Sequence, residues 1–436
     1  MKQLLAYCLS IILCVSFTGC MENYLDLYPE DKITSASFPE NESDIKLLLN
    51  GVYAQLREKE VYNQGLFGFG ITDGATPNAF NWGTDEVFNK LGAGRLSSSD
   101  GGVVTYRWKR CYEIISRANY LLACMDLVDL SEEAKAKYSG ETHFLRGLAY
   151  SVLAETYGGV PIILTNISTE EARSLKRASL EETWQQALDD YEVAITNLGV
   201  DAPEPGRATK GAALGMKMRA YLYQGKYKEV LSCVEQIDAL KKYGLFHSYE
   251  GLFDPANENN KEVLFDIQYI EGENSQGSYI DQYCGTGTGS WTRGSRYVPT
   301  DDLVAAYETI DGSPVDPENP YENRDPRLGF TAVLPGSYFL GYRFPNYLYP
   351  GGAFNHAGNR LKHLSTRKYR IQDESKLPPS GQSYINDIIL RYADVLLSKA
   401  EAIIETNGNV ADAIAILNRI RTERDDVKIS LLPTSM

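Results

Sequence analysis

The amino-acid sequence predicts a mostly α-helical protein of stacked helix pairs, similar to tetratricopeptide arrays, with a loop-rich, irregular portion and a few short strands. Three observations predict it. Long stretches carry apolar residues on a 3.6-residue period, two helix-glycine-helix hairpins share a spacing, and residues 244–385 lose the period. With 436 residues and 43% hydrophobic content the chain can bury a sizeable core. The 43 basic against 58 acidic residues leave a net charge of −15, which argues against a nucleic-acid or anionic-membrane surface, since both need clustered positive charge.

Taken in order, Lys2 precedes an apolar run from Leu4 to Phe17 that has signal-peptide length and is too short to span a bilayer as a helix. Phe17-Thr18-Gly19-Cys20 is similar to a bacterial lipobox, with Phe17 at the position usually held by leucine, so residues 1–19 are expected to be removed and Cys20 lipidated. The other reading is an ordinary secretory signal beside a stray cysteine. Acyl chains on Cys20 would anchor the chain without a spanning helix. Cys8 and Cys14 leave with the signal, and the remaining Cys111, Cys124, Cys233 and Cys284 form no CxxC pair and are expected to be buried thiols rather than bridges.

After a polar tether, Asp44–Arg57 reads as an amphipathic helix carrying Ile45, Leu48, Leu49, Val52, Tyr53 and Leu56. Residues 62–102 have loop composition and hold Phe80, Asn81 and Trp82. Val103–Met125 is a helix with Trp108, Cys111, Ile115 and Ala118 on one face. The central helix follows: Ser131 is its N-cap, Phe144, Leu145, Leu148, Ala149, Val152 and Leu153 form a broad stripe, and Gly158-Gly159 stop it before an extended Val160–Leu164. Leu180–Leu198 is the next helix, with Trp184 inward, and both Trp184 and Trp108 are expected in the core. One hairpin turns at Gly225 and another, from Asp387, turns at Gly408; Tyr227, Val230 and Val234 correspond to Val410, Ala413 and Leu417. Between the hairpins lie an extended Glu262–Ile267 and a Gly/Thr/Ser-rich Gly272–Arg296.

Several of these stretches carry a resemblance. Cys20, Tyr24-Leu25-Asp26, Asn50-Gly51-Val52-Tyr53, Glu141 with Phe144-Leu145-Arg146, Tyr157-Gly158 with Val160-Pro161, Gly206–Ala213, Pro299-Thr300-Asp301-Asp302-Leu303 with Tyr307, Asn323-Arg324-Asp325-Pro326-Arg327-Leu328 and Leu396–Ala402 stand in one order. That set resembles the SusD/RagB family of Bacteroidetes outer-membrane nutrient-binding lipoproteins. The resemblance implies a signal peptide at 1–19 and a single SusD-like domain at 20–436, divided into an N-terminal helical part (20–240), a loop-rich part (241–386) and a C-terminal helix pair (387–436). It also implies a further helix-rich section after that pair, whereas this chain stops at Met436. The implied localisation is lipid-anchored in the outer membrane, facing the exterior, and the implied partner is a SusC-like TonB-dependent transporter.

No catalytic motif stands out: there is no G-x-S-x-G, H-E-x-x-H, P-loop or Rossmann pattern, and His143, His247, His356 and His363 are scattered. The chain is expected to be no enzyme and to use neither cofactor nor metal. The remaining chemistry is recognition, because a sugar ring presents an apolar CH face and a hydroxyl rim to flat aromatics with polar neighbours. Candidate glycan contacts are Phe80, Asn81 and Trp82 in one loop and Tyr279, Tyr283, Trp291 and Arg293 in the other. Trp82 and Trp291 lie among glycine and polar residues, where either could instead plug its own loop, and the resemblance implies that glycan-binding aromatics come from these two regions. Phe344–Tyr349 offers further aromatics for ligand or partner. Arg324, Asp325 and Arg327 read as an ion-pair and turn unit. The expected function is capture of an oligosaccharide or polysaccharide for the transporter; the alternatives are a lipidated glycan hydrolase or a peptide-binding member of the family.

Overall fold

A computed structural model of the chain describes residues 38–57, 73–81, 90–97, 99–270, 277–278, 280, 297–343, 364–377 and 383–433. The helices are α1 (Glu42–Arg57), α2 (Val103–Cys124), α3 (Glu132–Tyr157), α4 (Thr169–Ser174), α5 (Leu180–Asn197), α6 (Lys210–Tyr223), α7 (Tyr227–Ala239), α8 (Asp301–Ala306), α9 (Pro326–Thr331), α10 (Tyr392–Glu405) and α11 (Val410–Thr422). The strands are β1 (Ala79–Asn81), β2 (Val263–Ile267), β3 (Tyr297–Pro299), β4 (Ala332–Val333), β5 (Tyr338–Phe339), β6 (Tyr342–Arg343), β7 (Ser365–Thr366) and β8 (Asp387–Arg391). They pair two by two, β1 with β3, β2 with β8, β4 with β7 and β5 with β6. No helix among the described residues is long and apolar enough to cross a membrane. Cys20 lies outside the described residues.

The body is organised around α3, which packs on α1, α2, α5 and α6. The Ser131 hydroxyl accepts from the Ala134 amide at 3.1 Å, and Gly158 closes the helix at φ 77°, a conformation that disfavours any Cβ. Burial extends beyond the expected stripe to polar side chains, and each has a partner. The Arg146 guanidinium holds Asp190 through two bonds of 3.0 and 2.7 Å and donates to Asn119 Oδ1 at 2.8 Å. Glu141 accepts from the Tyr53 hydroxyl at 2.8 Å, Tyr53 OH in turn accepts from the Ala208 amide at 2.9 Å, and the Arg207 guanidinium lies 4.9 Å from the Tyr53 ring centre. Three sequence motifs therefore meet at one joint between α1, α3 and the start of α6. Gly147 is small for contact: a Cβ there would come within 3.1 Å of the Ala187 carbonyl and Asp190 Cβ.

One apolar cluster continues from Ile45 of α1 to Ala402 of α10. The pair α6 and α7 packs on α10, so the two hairpins stack as the repeat predicts, though partially: Val230, Val234 and Ala413 are buried while Val410 is exposed. Cys111, Cys124 and Cys233 are free and buried, and burial pushes the Cys111 thiol up to about 12 and the Cys233 thiol to about 11. Val160–Leu164 is extended without joining a sheet; the Tyr150 hydroxyl accepts from the Ile163 amide at 2.7 Å and donates to its carbonyl at 2.9 Å.

Two expectations are corrected. The C-terminal hairpin does not begin with helix at Asp387: residues Asp387–Arg391 form β8, antiparallel to β2 with Asp387 opposite Ile267, and helix starts only at Tyr392. The β-branched Ile388-Ile389 pair suits a pleated surface, and the available edge of β2 outweighs the local helical period. Trp108 is 37% exposed rather than core, its ring lying 5.0 Å from Tyr112 and 5.2 Å from Tyr157, so neighbouring aromatics cover one side of it and solvent the other. Trp184 is buried as expected.

The loop-rich portion is tied to this body by Glu262, which has no exposed surface. Arg424 donates to both of its oxygens at 2.7 and 2.8 Å, Arg391 donates at 2.8 Å, and the Phe246 amide at 2.7 Å. Burial alone would raise this carboxyl; the Arg424 and Arg391 contacts outweigh it and hold it below its ordinary value. Replacing Arg424 by Met leaves that carboxylate under-compensated, and is expected to cost about 3–5 kcal/mol of unfolding free energy in a urea titration.

Beside this pair the balance runs the other way. Burial raises Asp266 to about 6 and, with the nearby Asp266 charge, Asp387 to about 8. Both bind their protons more tightly folded than unfolded, so their contribution is full below the unfolded value of about 4 and is lost as pH rises toward 8. Asp387→Asn is expected to raise stability by roughly 2 kcal/mol at pH 9, with the gain shrinking toward zero near pH 4; melting curves across that range check it.

Candidate functional site

The site is built around the pairing of β1 with β3. Ala79 lies opposite Pro299, Phe80 opposite Val298 and Asn81 opposite Tyr297, so the chain entering the segment of Trp82 and the chain leaving that of Trp291 start from adjacent strands. Just beyond β3, Thr300 caps α8: its hydroxyl accepts from the Leu303 amide at 3.1 Å and donates to the Pro77 carbonyl, and its amide donates to the Asn78 carbonyl at 3.0 Å.

The far end of α8 is held by Arg324, whose guanidinium donates at 2.6 Å to the carbonyls of Val304, Tyr307 and Pro320. Asp325 in turn accepts from the Arg327 amide at 2.9 Å, capping α9, and grips the Arg327 guanidinium at 2.6 to 3.1 Å. The Arg324-Asp325-Arg327 unit is structural, as read from sequence, and it fixes Tyr307, whose hydroxyl meets Thr331 Oγ1 at 2.9 Å. From the other side Thr366 of β7 donates to the Tyr297 carbonyl at 3.0 Å, which places Lys368 and Tyr369 just beyond that strand.

These elements enclose a cavity of about 210 Å³ lined by Asp73, Asn78, Tyr249, Tyr297, Tyr307, Thr331, Thr366, Lys368 and Tyr369, with Ala79, Ile280, Pro299 and Leu303. Four tyrosines, three amide or hydroxyl side chains and one lysine form the kind of wall that takes a ring with an apolar face and a polar rim. Tyr369 adopts φ 62°, which costs ~1–3 kcal/mol for a bulky residue and is typical of strained functional positions. The Lys368 ammonium lies 5.7, 4.5 and 4.8 Å from the ring centres of Tyr249, Phe253 and Tyr369. Burial would raise the Tyr249 phenol, but Lys368, Arg391 and Arg327 outweigh it and set it below its ordinary value.

A larger cavity, about 400 Å³, lies beside Asn50, Tyr53, Arg57, Glu204, Arg207 and Gln268. Several of its polar groups are engaged with one another: Arg207 donates through Nη2 to Asn50 at 2.5 Å and to Glu204 at 3.1 Å, and covers the face of Tyr53. It reads as the joint between α1 and α6, and the smaller cavity with its several tyrosines is the candidate.

Of the sequence-predicted contacts, Phe80 is on β1 and 38% exposed, and Asn81 ends that strand. Trp82, Tyr279, Tyr283, Trp291 and Arg293 lie outside the described residues, as do Phe344–Tyr349 and Cys284. The reading from sequence missed Tyr249, Tyr307, Lys368 and Tyr369. Tyr307 belongs to the P-T-x-D-L motif, and Arg367-Lys368-Tyr369-Arg370, three basic residues around one tyrosine in a stretch without periodicity, is the available signal for Lys368 and Tyr369.

Comparison with known proteins agrees with this architecture. Residues 261–424 match the SusD family, and residues 23–222 match a SusD-like family described as starch-binding, associating with outer membrane. The SusD-like protein P25 of Formosa agariphila is 26% identical over 457 residues, covering 96% of this chain and 81% of that one. A SusD-like protein of Bacteroides ovatus is 24% identical, covering 93% of this chain and 73% of its own length. Among solved structures, a SusD-like carbohydrate binding protein of Bacteroides fragilis superposes with a TM-score of 0.80 at 25% identity, covering 90% of this chain and 80% of that one. With the motifs in order, the stacked hairpins and two family matches that together span most of the sequence, the chain belongs to the SusD/RagB family.

Proposed function

We propose that the protein is a cell-surface lipoprotein that binds an oligosaccharide or polysaccharide and passes it to a SusC-like TonB-dependent transporter in the outer membrane. The observation that carries the reading is the tyrosine-walled cavity at the base of the two aromatic-bearing segments, whose stems are paired as β1 and β3. Support comes from the starch-binding, outer-membrane-associating family that residues 23–222 match and from the carbohydrate-binding relative of Bacteroides fragilis. At about 210 Å³ the cavity is smaller than the roughly 300–1,000 Å³ of sites that enclose a drug-sized ligand. It would seat one sugar unit, with Phe80, Asn81, Trp82, Tyr279, Tyr283, Trp291 and Arg293 contacting neighbouring units from the two loops. Lipid on Cys20 would hold the body at the membrane, and the stretch of about twenty residues before α1 would let it move over a pore.

Binding of this kind needs stacking and hydrogen bonds, with no covalent step. Glycoside hydrolysis needs a carboxylate pair across the cleft, and among the described lining residues the carboxylate is Asp73. Calorimetric titration of the full-length protein in detergent against a panel of polysaccharides and peptides, with every mixture assayed for released sugar ends, tests the reading. Saturable glycan binding without release is expected, weakened about tenfold or more by Trp82→Ala or Trp291→Ala, since stacking one ring contributes on the order of 1–3 kcal/mol. Released sugar ends would replace capture with hydrolysis, and saturable binding to peptides alone would replace the ligand.

A further inference from the structure

Lys368 is unlike the other cations around the cavity. Arg327, Arg367 and Arg391 are each matched by a carboxylate, with Asp325 at 2.6 Å, Glu250 at 2.5 Å and Glu262 at 2.8 Å. Lys368 forms no ion pair among the described residues; it is surrounded by the ring faces of Tyr249, Phe253 and Tyr369, and it lines the cavity. An ammonium carries three donors: one goes to the Tyr249 phenol oxygen, and the ring faces use its charge without consuming the others, so it retains capacity for an oxygen ligand.

At the Tyr249 phenol the effect of the cations prevails, even though the chain as a whole carries −15. Besides the three carboxylates that match the arginines, Asp73 stands on the cavity wall, and Asp426 accepts from the Tyr249 and Glu250 amides at 2.8 and 2.9 Å. Yet the buried Tyr249 has its phenol lowered by Lys368, Arg391 and Arg327 against the opposing effect of burial. An ammonium without a carboxylate partner is a selective device in a strongly acidic protein, because it offers an anionic ligand an attractive contact that the net charge does not.

We propose that the captured glycan carries anionic groups, uronate carboxylates or sulfate esters, and that the Lys368 ammonium receives one of them while the tyrosines take the ring. This rests on the glycan-capture reading and narrows it to charged sugars. The aromatic surround leaves the lysine partly desolvated, which strengthens its attraction for an oxyanion relative to a lysine in open water.

The test is titration of the full-length protein with polygalacturonate, dextran sulfate and neutral laminarin, in wild type, Lys368→Met and Lys368→Arg, with melting temperatures alongside. Wild type is expected to bind at least one of the charged polymers about tenfold or more tighter than laminarin, and which of them it prefers distinguishes carboxylate from sulfate. Lys368→Met is expected to lose roughly ten- to a hundredfold of that affinity while Lys368→Arg retains most of it. Equal losses for charged and neutral polymers, or unchanged charged-polymer affinity in Lys368→Met, would overturn the proposal and leave Lys368 a structural cation. Should Lys368→Met not fold, wild type alone decides: affinity for the charged polymer must fall steeply from about 20 to about 300 mM salt, and a flat response overturns it. Binding of laminarin alone would sink the anionic preference and leave glycan capture standing, whereas binding of no polymer would sink both.

Discussion

The buried carboxylate of Glu262 is the constraint on which the arrangement of the chain depends. It sits at the start of β2, and it is reached by Arg391 at the end of β8 and by Arg424 from beyond α11. The Tyr392 amide donates to the Glu262 carbonyl at 2.7 Å, so backbone and side chain together set where β8 turns into α10. A buried charge of this kind is stable only when every partner is in place, which makes three segments far apart in sequence fold as one unit. The cavity inherits that rigidity: the Phe246 amide is bound by the same carboxylate, and Tyr249 follows three residues later with its amide on Asp426.

The residues that identify the family are almost all structural. Phe144-Leu145-Arg146 is the buried face of α3 and its clamp on Asp190; Tyr53 and Arg207 close over Glu141; Arg324, Asp325 and Arg327 fasten α8 and α9. Family membership therefore speaks to the scaffold. On the proposed function, ligand choice would lie in what the scaffold holds up, namely the short β1/β3 pair, the tyrosines beneath it and the two segments that leave it. Loops can change sequence freely between relatives because they do not carry the burial that keeps the helices stacked.

The cavity also shows two ways in which a strongly acidic protein can hold buried cations. Arginines with carboxylate partners serve as braces, and their charge is largely cancelled at short range. A lysine among aromatic faces is stabilised without being neutralised, so its charge still reaches the cavity. The strained backbone at Tyr369, immediately after it, fits a position held in place by its surroundings rather than by its own preference.

The helices were legible in the sequence because their signals are local: the stripe on α3, the Ser131 cap, the Gly158 stop and the matched turns at Gly225 and Gly408 all act within a few residues. The structural character of Arg324-Asp325-Arg327 and the buried thiols at Cys111 and Cys233 were legible for the same reason. What tertiary structure alone decided is everything that depends on a distant partner. Asp387–Arg391 is strand because β2, more than a hundred residues earlier, offers it an edge, and Trp108 is partly covered where, among the described residues, Tyr112 and Tyr157 reach it. Tyr249, Tyr307, Lys368 and Tyr369 come from three separate stretches, and no periodicity or spacing in one stretch encodes the others. Side-chain chemistry is written residue by residue, but a binding wall exists only after packing has set the distances between them.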